Sequence, residues 1–190
     1  MARKTEVFKK DIVEAAVQIV RNTGYDALNA RSLAAELGCS TQPVFSNFRT
    51  MEDVVSAVLE RTLEIYNSFF EEIIKSNEYE TPYKAQGMAY ILFAMQQPNL
   101  FKLLFMRDRK KDEHSGEDDL FDDVLPLIMK ANGFTKEQAR LFHLEMWITV
   151  HGIASMAATG YCTLDPALAS RILTDSYQGL IQRFANEKCN

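Results

Sequence analysis

The residues best suited to specific chemistry lie in the segment 40–48, STQPVFSNF. Read as a short helix, the segment places the apolar Val44 and Phe48 together on one face, where they can anchor it. Its other face carries small or hydrogen-bonding side chains, namely Thr41, Gln42, Ser46 and Asn47. The amides of Gln42 and Asn47 match the donor and acceptor of an adenine edge, and the threonine offers a methyl group to thymine and a hydroxyl to phosphate. The segment therefore leaves two interpretations, a merely solvated polar strip, which these residues by themselves favour, and a helix that reads the major groove of DNA.

The elements on either side would position this helix. Asn29 is a favoured N-cap residue, and Leu28 and Leu33 occupy the two positions of a hydrophobic staple, so a short helix is expected to begin there. Gly38 ends that helix, and the next one begins near residue 40 or 41 with Pro43 in its first turn, where a missing N–H costs little. A short capped helix, a glycine turn and a second short helix form a helix-turn-helix.

Helical periodicity extends along the whole chain. Apolar residues recur at spacings of three and four, and no convincing alternation of apolar and polar residues appears, which predicts an all-α fold of about nine helices. The first helix is expected from about Glu6 to Asn22, with Phe8, Ile12 and Ile19 on its apolar stripe. Gly24 follows where a left-handed cap would end it.

The fourth helix is predicted over 51–76 because Thr50 and Asp53 have the spacing of a capping box. Beyond it, a densely charged stretch, 107–118, is expected to form an exposed loop. The remaining helices are predicted near 83–96, 98–106, 119–132, 136–159 and 166–186.

Composition and charge narrow the class of protein. A chain of 190 residues with 47% apolar content can fill a core, and three scattered cysteines indicate neither a disulfide framework nor a metal site. Residues 1–50 carry seven basic side chains against five acidic ones, although the whole chain has a net charge of −5, so the basic end is the one able to face a polyanion. Neither a membrane span nor a secretory signal is evident, which predicts a cytoplasmic protein.

Two segments, LNARSLAAELGCS at 28–40 and VFSNFRTMEDVV at 44–55, resemble the DNA-binding region of the TetR family of transcriptional regulators. The resemblance implies a helix-turn-helix DNA-binding domain over 1–50, a connecting helix over 51–76, and a ligand-binding and dimerisation domain over 51–190. It further implies a ligand-responsive regulator, in most cases a repressor. Such a protein binds a palindromic operator as a homodimer and is released by a small, largely apolar effector.

Two positions depart from the family pattern and change the expected contacts with DNA. Phe45 stands where the family usually has a tyrosine that touches phosphate, and Met51 stands where it usually has a lysine. The side chains available to replace these phosphate contacts are Arg3, Lys4, Arg31, Arg49 and Thr50. The residues predicted to contact DNA are Arg31, Thr41, Gln42, Phe45, Ser46, Asn47, Arg49 and Thr50.

Methionine and aromatic residues concentrate between residues 88 and 156, and such side chains can line an adaptable apolar pocket. The predicted ligand-binding residues are Met88, Phe93, Phe105, Met106, Phe142, Met146, Trp147 and His151. Ordinary core packing is the alternative for the whole group. The segment 147–152 resembles the W-x-x-x-H-G signature of one C-terminal subclass of the family, which implies a ligand cavity. His151 is interpreted either as a ligand contact or as a hydrogen-bonded core or interface histidine.

The last two predicted helices offer small residues and apolar surface for a partner helix. In the resembled family these helices form the dimer interface, and an intrachain core is the alternative. The sequence contains no G-x-S-x-G motif, phosphate-binding glycine loop, H-E-x-x-H motif or paired-cysteine motif, so neither an enzyme nor a cofactor is expected. The rival function, motivated by Phe45 and Met51, is an interaction or ligand-binding protein of the same fold with lost or altered DNA binding.

Overall fold

The computed structural model describes residues 7–108 and 124–187, and within these ranges it contains nine α-helices and no strand, which confirms the all-α prediction. The helices are α1 (Lys9–Thr23), α2 (Ala30–Glu36), α3 (Gln42–Asn47), α4 (Met51–Ser76), α5 (Pro82–Gln96), α6 (Pro98–Phe105), α7 (Leu125–Asn132), α8 (Lys136–Thr159) and α9 (Pro166–Glu187). In the part of the chain that is described, no helix combines the length and apolar character needed to cross a membrane.

The bounds of α4, α5, α6, α8 and α9 agree with the predicted ones to within a residue. Helix α7 begins at Leu125, after Val124 and with Pro126 in its first turn. The predicted start of that helix at residues 119–123 lies outside the described residues, as does the charged loop from residue 109 onward.

The start of the first helix differs from the prediction. Phe8 precedes α1 as its N-cap residue, in extended backbone, and is 58% exposed, so it does not belong to the buried stripe. The backbone N–H of Phe8 donates to the carboxylate of Asp11 (3.0 Å), and this bond holds Phe8 at the N-cap position, one residue before the helix begins. Ile12 and Ile19 are buried as predicted.

Gly24 also differs from the prediction, which gave it a left-handed helical cap. Its φ of 92° is positive, but its ψ of 167° is extended, so the chain leaves α1 in a conformation that only glycine adopts easily. A 3-10 turn over Tyr25–Ala27 follows and carries the chain to the start of α2.

The described residues group into two compact units. The first extends to Glu72 and includes Gln96–Arg107, and the second comprises Ile73–Met95 with the described residues from Asp108 onward. Helix α4 therefore contributes to both units, and α5 leads directly into α6 along the chain. The sequence analysis divided the chain by function, into a DNA-binding domain over 1–50 and a ligand-binding domain over 51–190. That division stays a prediction.

The first unit has a core drawn from α1 to α4 and α6. Its fully buried side chains include Ile12, Val17, Val20, Leu33, Val44, Val54, Leu100 and Phe101. Arg21 joins α1 to α6 twice, because its Nε donates to Gln97 Oε1 (3.1 Å) and its backbone oxygen accepts from Asn99 Nδ2 (3.0 Å). These bonds fix α6 against the end of α1.

The second unit is built around α5, whose residues from Met88 to Ala94 are all buried. A Cβ atom at Gly87 would lie 3.2 Å from both Val150 of α8 and Leu173 of α9, so glycine lets these helices approach α5 closely. The Phe142 ring lies 5.3 Å from the ring of Tyr177, centroid to centroid, and so packs α8 against α9.

Candidate functional site

The helix-turn-helix is held by local hydrogen bonds at each of its boundaries. Asn29 Oδ1 accepts from the backbone N–H groups of Arg31 and Ser32 (both 3.0 Å), and Ser32 Oγ accepts from the N–H of Asn29 (3.0 Å). Gly38 takes a left-handed φ of 63° in the turn after α2. The N-cap and the glycine turn are therefore confirmed.

The cap of α2 can be tested by mutation. Asn29→Ala removes the oxygen that accepts both N–H bonds, and we expect it to lower the free energy of unfolding by about 1 kcal/mol. Asn29→Ser restores a capping oxygen and should recover most of that loss. Urea unfolding of the three proteins measures the difference, and equal midpoints for all three would contradict the assigned cap.

Helix α3 is anchored as predicted. Val44 is fully buried and Phe48 is 4% exposed, so both side chains point into the first unit. The helix begins at Gln42 with Thr41 before it, within two residues of the expected start, and Pro43 lies in its first turn. Of the other residues of this short helix, Pro43 is partly buried and the rest are exposed.

The outward face of α3 carries Gln42, Phe45 and Ser46. All three are exposed, and their spacing of three and four residues puts them on one side of the helix, opposite Val44. The Ser46 hydroxyl donates to the backbone oxygen of Gln42 (2.9 Å). The Gln42 amide and the Phe45 ring, which is 48% exposed, thus lie on the same exposed side of the helix.

The other predicted DNA contacts surround this face. Arg31 is exposed in the first turn of α2, and Arg49 is exposed just after α3, whereas Thr41 is partly buried. Thr50 is exposed, but its hydroxyl accepts from the N–H of Asp53 (3.2 Å) and so caps α4. The predicted Arg3 and Lys4 lie outside the described residues.

Asn47 differs from its neighbours in what its amide contacts. Its Nδ2 donates to the backbone oxygens of Pro43 (2.9 Å) and Val7 (3.1 Å), although the residue as a whole is exposed. Sequence reasoning assigned this amide to an adenine edge and had no signal for a partner forty residues away.

The predicted ligand-binding residues divide between the two units. Phe105 and Met106 belong to the first, where Phe105 packs on Tyr66 (ring centroids 5.1 Å apart) and Met106 is 41% exposed. Burial raises the pKa of Tyr66 to about 12. The others belong to the second unit: Met88, Phe93, Phe142, Met146, Trp147 and His151. Of these six, Trp147 and His151 are partly buried and the other four are buried.

Trp147 and His151 form part of an aromatic cluster with Tyr90 in the second unit. The Trp147 and His151 rings stack at 5.9 Å with an interplanar angle of 24°, and the Tyr90 ring lies 5.0 Å from that of Trp147. A hydrogen bond of 2.9 Å joins the Tyr90 hydroxyl to His151 Nδ1. The cluster combines flat aromatic surface with the polar groups of Tyr90 and His151.

A second tyrosine–histidine pair repeats the arrangement two helical turns away. The Tyr83 hydroxyl lies 2.8 Å from His143 Nδ1, and its pKa is raised by burial. The tyrosines are seven residues apart on α5 and the histidines eight apart on α8, so both pairs join the same two helices. That matched spacing is the signal from which sequence reasoning could have found the pairing, and did not.

The two histidines predict a dependence of stability on pH. Burial lowers the pKa of both His143 and His151 below the ordinary value of 6.5. As the pH falls, these histidines therefore take up protons in the unfolded chain before they do so in the folded one. The stability that the neutral rings contribute is present above about pH 6.5 and is lost as the pH falls below that value.

The double variant His143→Asn with His151→Asn keeps an acceptor near each Nδ1 position but does not titrate. We expect its melting temperature to fall less between pH 7.5 and pH 5.5 than that of the unaltered protein. Differential scanning calorimetry at the two pH values measures the difference. Parallel losses in both proteins would contradict the role assigned to these rings.

Comparison with known proteins shows the family to which the chain belongs. Residues 83–179 match the family model described as "Tetracyclin repressor-like, C-terminal domain". An uncharacterized HTH-type transcriptional regulator of Mycobacterium tuberculosis is 22% identical over 177 residues, which span 92% of this chain and 80% of the relative. A TetR-like transcriptional regulator from Rhodococcus sp. RHA1 shares the fold, with a TM-score of 0.65 over 98% of each chain at 12% sequence identity. Because the family model covers just over half of the chain, the protein belongs to the TetR-like family of regulators.

Proposed function

We propose that this protein is a transcriptional repressor that binds a palindromic DNA operator as a homodimer and is released by a small, largely apolar effector. The observation that carries the proposal is the division of α3 into a buried side, with Val44 and Phe48, and an exposed side that presents Gln42 and Phe45. A helix enters the major groove only when one side is anchored and the other is accessible.

Basic side chains around α3 support binding to the DNA backbone. Arg31 is exposed in α2, Arg49 is exposed just after α3, and Lys9 and Lys10 are exposed in the first turn of α1. The first fifty residues have an excess of positive charge, although the whole chain is acidic. Contacts of these side chains with phosphate would orient α3 and make its binding depend on salt.

Exposed apolar residues on α8 support a homodimer through the last two helices. Leu141, Leu144 and Ile148 are 44%, 38% and 61% exposed, and their spacing puts them on one stripe of the helix. On α9, Leu173 and Phe184 are buried within the chain itself, so part of its apolar surface belongs to the intrachain core. A dimer would place two copies of α3 on successive faces of the duplex.

The aromatic cluster of Tyr90, Trp147 and His151 supports contact with an effector, because two of its rings remain partly accessible beside a polar group. It also fits the W-x-x-x-H-G subclass suggested by residues 147–152. The chain passes from α5, which carries Tyr90, into α6, which is bonded to α1 through Arg21. A ligand that prefers one position of α5 would therefore shift the population of positions of the helix-turn-helix, within the limit set by its differential affinity for the two states.

Selection of bound fragments from random duplex DNA tests the proposal. The purified protein is expected to enrich a palindrome whose half-sites lie about 34–36 Å apart, or a multiple of that spacing. Its affinity for the enriched sequence should fall steeply with salt. Weak binding that does not saturate and does not respond to salt would instead favour a protein of this fold that has lost DNA binding, as the family departures at Phe45 and Met51 suggest.

A further inference from the structure

Asn47 stands apart from the outward face of α3. At about 100° per residue, its side chain leaves the helix well away from the shared direction of Gln42, Phe45 and Ser46. Its Nδ2 carries two hydrogens, and the two observed acceptors, the backbone oxygens of Pro43 and Val7, match that number.

The next residue makes a second contact with the same part of the chain. The Lys9 ammonium lies 5.0 Å from the centroid of the Phe48 ring, within the range of a cation–π interaction. Residues 47 and 48, at the end of α3, thus contact residues 7 and 9, on either side of the point where α1 begins. The start of α1 and the end of α3 are held together by one hydrogen bond and one ring contact.

We propose that Asn47 is a positioning residue, which ties the end of α3 to the start of α1 and so fixes the direction of α3 in the first unit. The inference rests on the proposed DNA binding and reassigns one of its predicted contacts. Bidentate recognition of adenine needs the amide nitrogen as a donor and the amide oxygen as an acceptor. The nitrogen of Asn47 is already used by two backbone oxygens.

Base-substitution profiles distinguish positioning from base reading. Asn47→Ala should weaken binding to the selected operator and to each of its single-base variants by a similar factor, about three- to tenfold, which is the effect of one ordinary hydrogen bond. The ranking of the variants should stay unchanged. Gln42→Ala is the matched control, because this exposed amide lies on the outward face and its loss should change the ranking. A change in preference at one base pair with Asn47→Ala would overturn the proposal.

Hydrogen exchange of the full-length protein tests the contact between the end of α3 and the start of α1 in the absence of DNA. The N–H groups of Asp11 and Ile12 both donate to the backbone oxygen of Phe8 in the first turn of α1 (3.0 and 3.2 Å). In Asn47→Ala these two amides should exchange several-fold faster, and the exchange of α2 and α4 should change less than theirs. Unchanged exchange at Asp11 and Ile12, or an equal increase in exchange throughout the first unit, would overturn the proposal. If the unaltered protein binds no DNA, the proposed function fails while this experiment still decides the role of Asn47.

Discussion

Replacing Phe48 by alanine is expected to lower the free energy of unfolding of the first compact unit by about 3–5 kcal/mol. The ring is 4% exposed, it ends α3, and the Lys9 ammonium lies over its face. Truncation leaves a cavity beside Val44, the other anchor of a helix of only six residues. Such a short helix has little stability of its own, so losing one of its two anchors should also abolish DNA binding.

Chemical denaturation followed by circular dichroism measures this loss. Phe45→Ala is the matched control, since it removes the same ring from a neighbouring position that is 48% exposed. We expect the control to change the free energy of unfolding by no more than about 0.5 kcal/mol. Equal effects of the two substitutions would show that α3 does not have the buried and exposed sides described above.

Gln42→Ala is expected to reduce discrimination at one operator base pair by about 1–3 kcal/mol, because one bidentate contact with a base is worth that much. The side chain is exposed and lies in the first turn of α3, the part of a recognition helix that meets base edges. Affinity for sequences that lack the preferred base should change little. Gel-shift titration of the selected operator and its single-base variants measures the change.

Arg49→Ala provides the contrasting result. Arg49 is exposed and follows α3, so it is placed for phosphate rather than for a base. Its loss should weaken binding to every sequence and reduce the slope of log affinity against log salt by about one. If Arg49→Ala changed the base preference, or if Gln42→Ala changed only the salt slope, the two roles would be wrongly assigned.

The bounds of the helix-turn-helix and of α4 could be predicted because their signals are local. Asn29 and Thr50 cap helices through bonds to residues at most three positions away, and Gly38 and Pro43 constrain their own backbone. The anchoring of Val44 and Phe48 followed from periodicity alone.

The features that escaped prediction depend on the conformation of chain ends or on distant partners. Phe8 has the spacing of a buried residue, but the helix starts one residue later, where Asp11 accepts its N–H. Gly24 needs a positive φ, yet the ψ angle is set by the turn that follows. The Tyr83–His143 bond joins residues sixty positions apart, and its signal in the sequence is the matched spacing of two tyrosines on α5 and two histidines on α8, which is not local to either residue.

The most direct measurement is operator binding by the triple variant Gln42→Ala, Phe45→Ala, Arg49→Ala, compared with the unaltered protein. All three side chains are exposed, so the melting temperature should stay the same. Affinity for the selected operator should fall by at least about a hundredfold, because base and backbone contacts are lost together. Undiminished, saturable binding by a folded triple variant would contradict the claim that this face of α3 reads DNA.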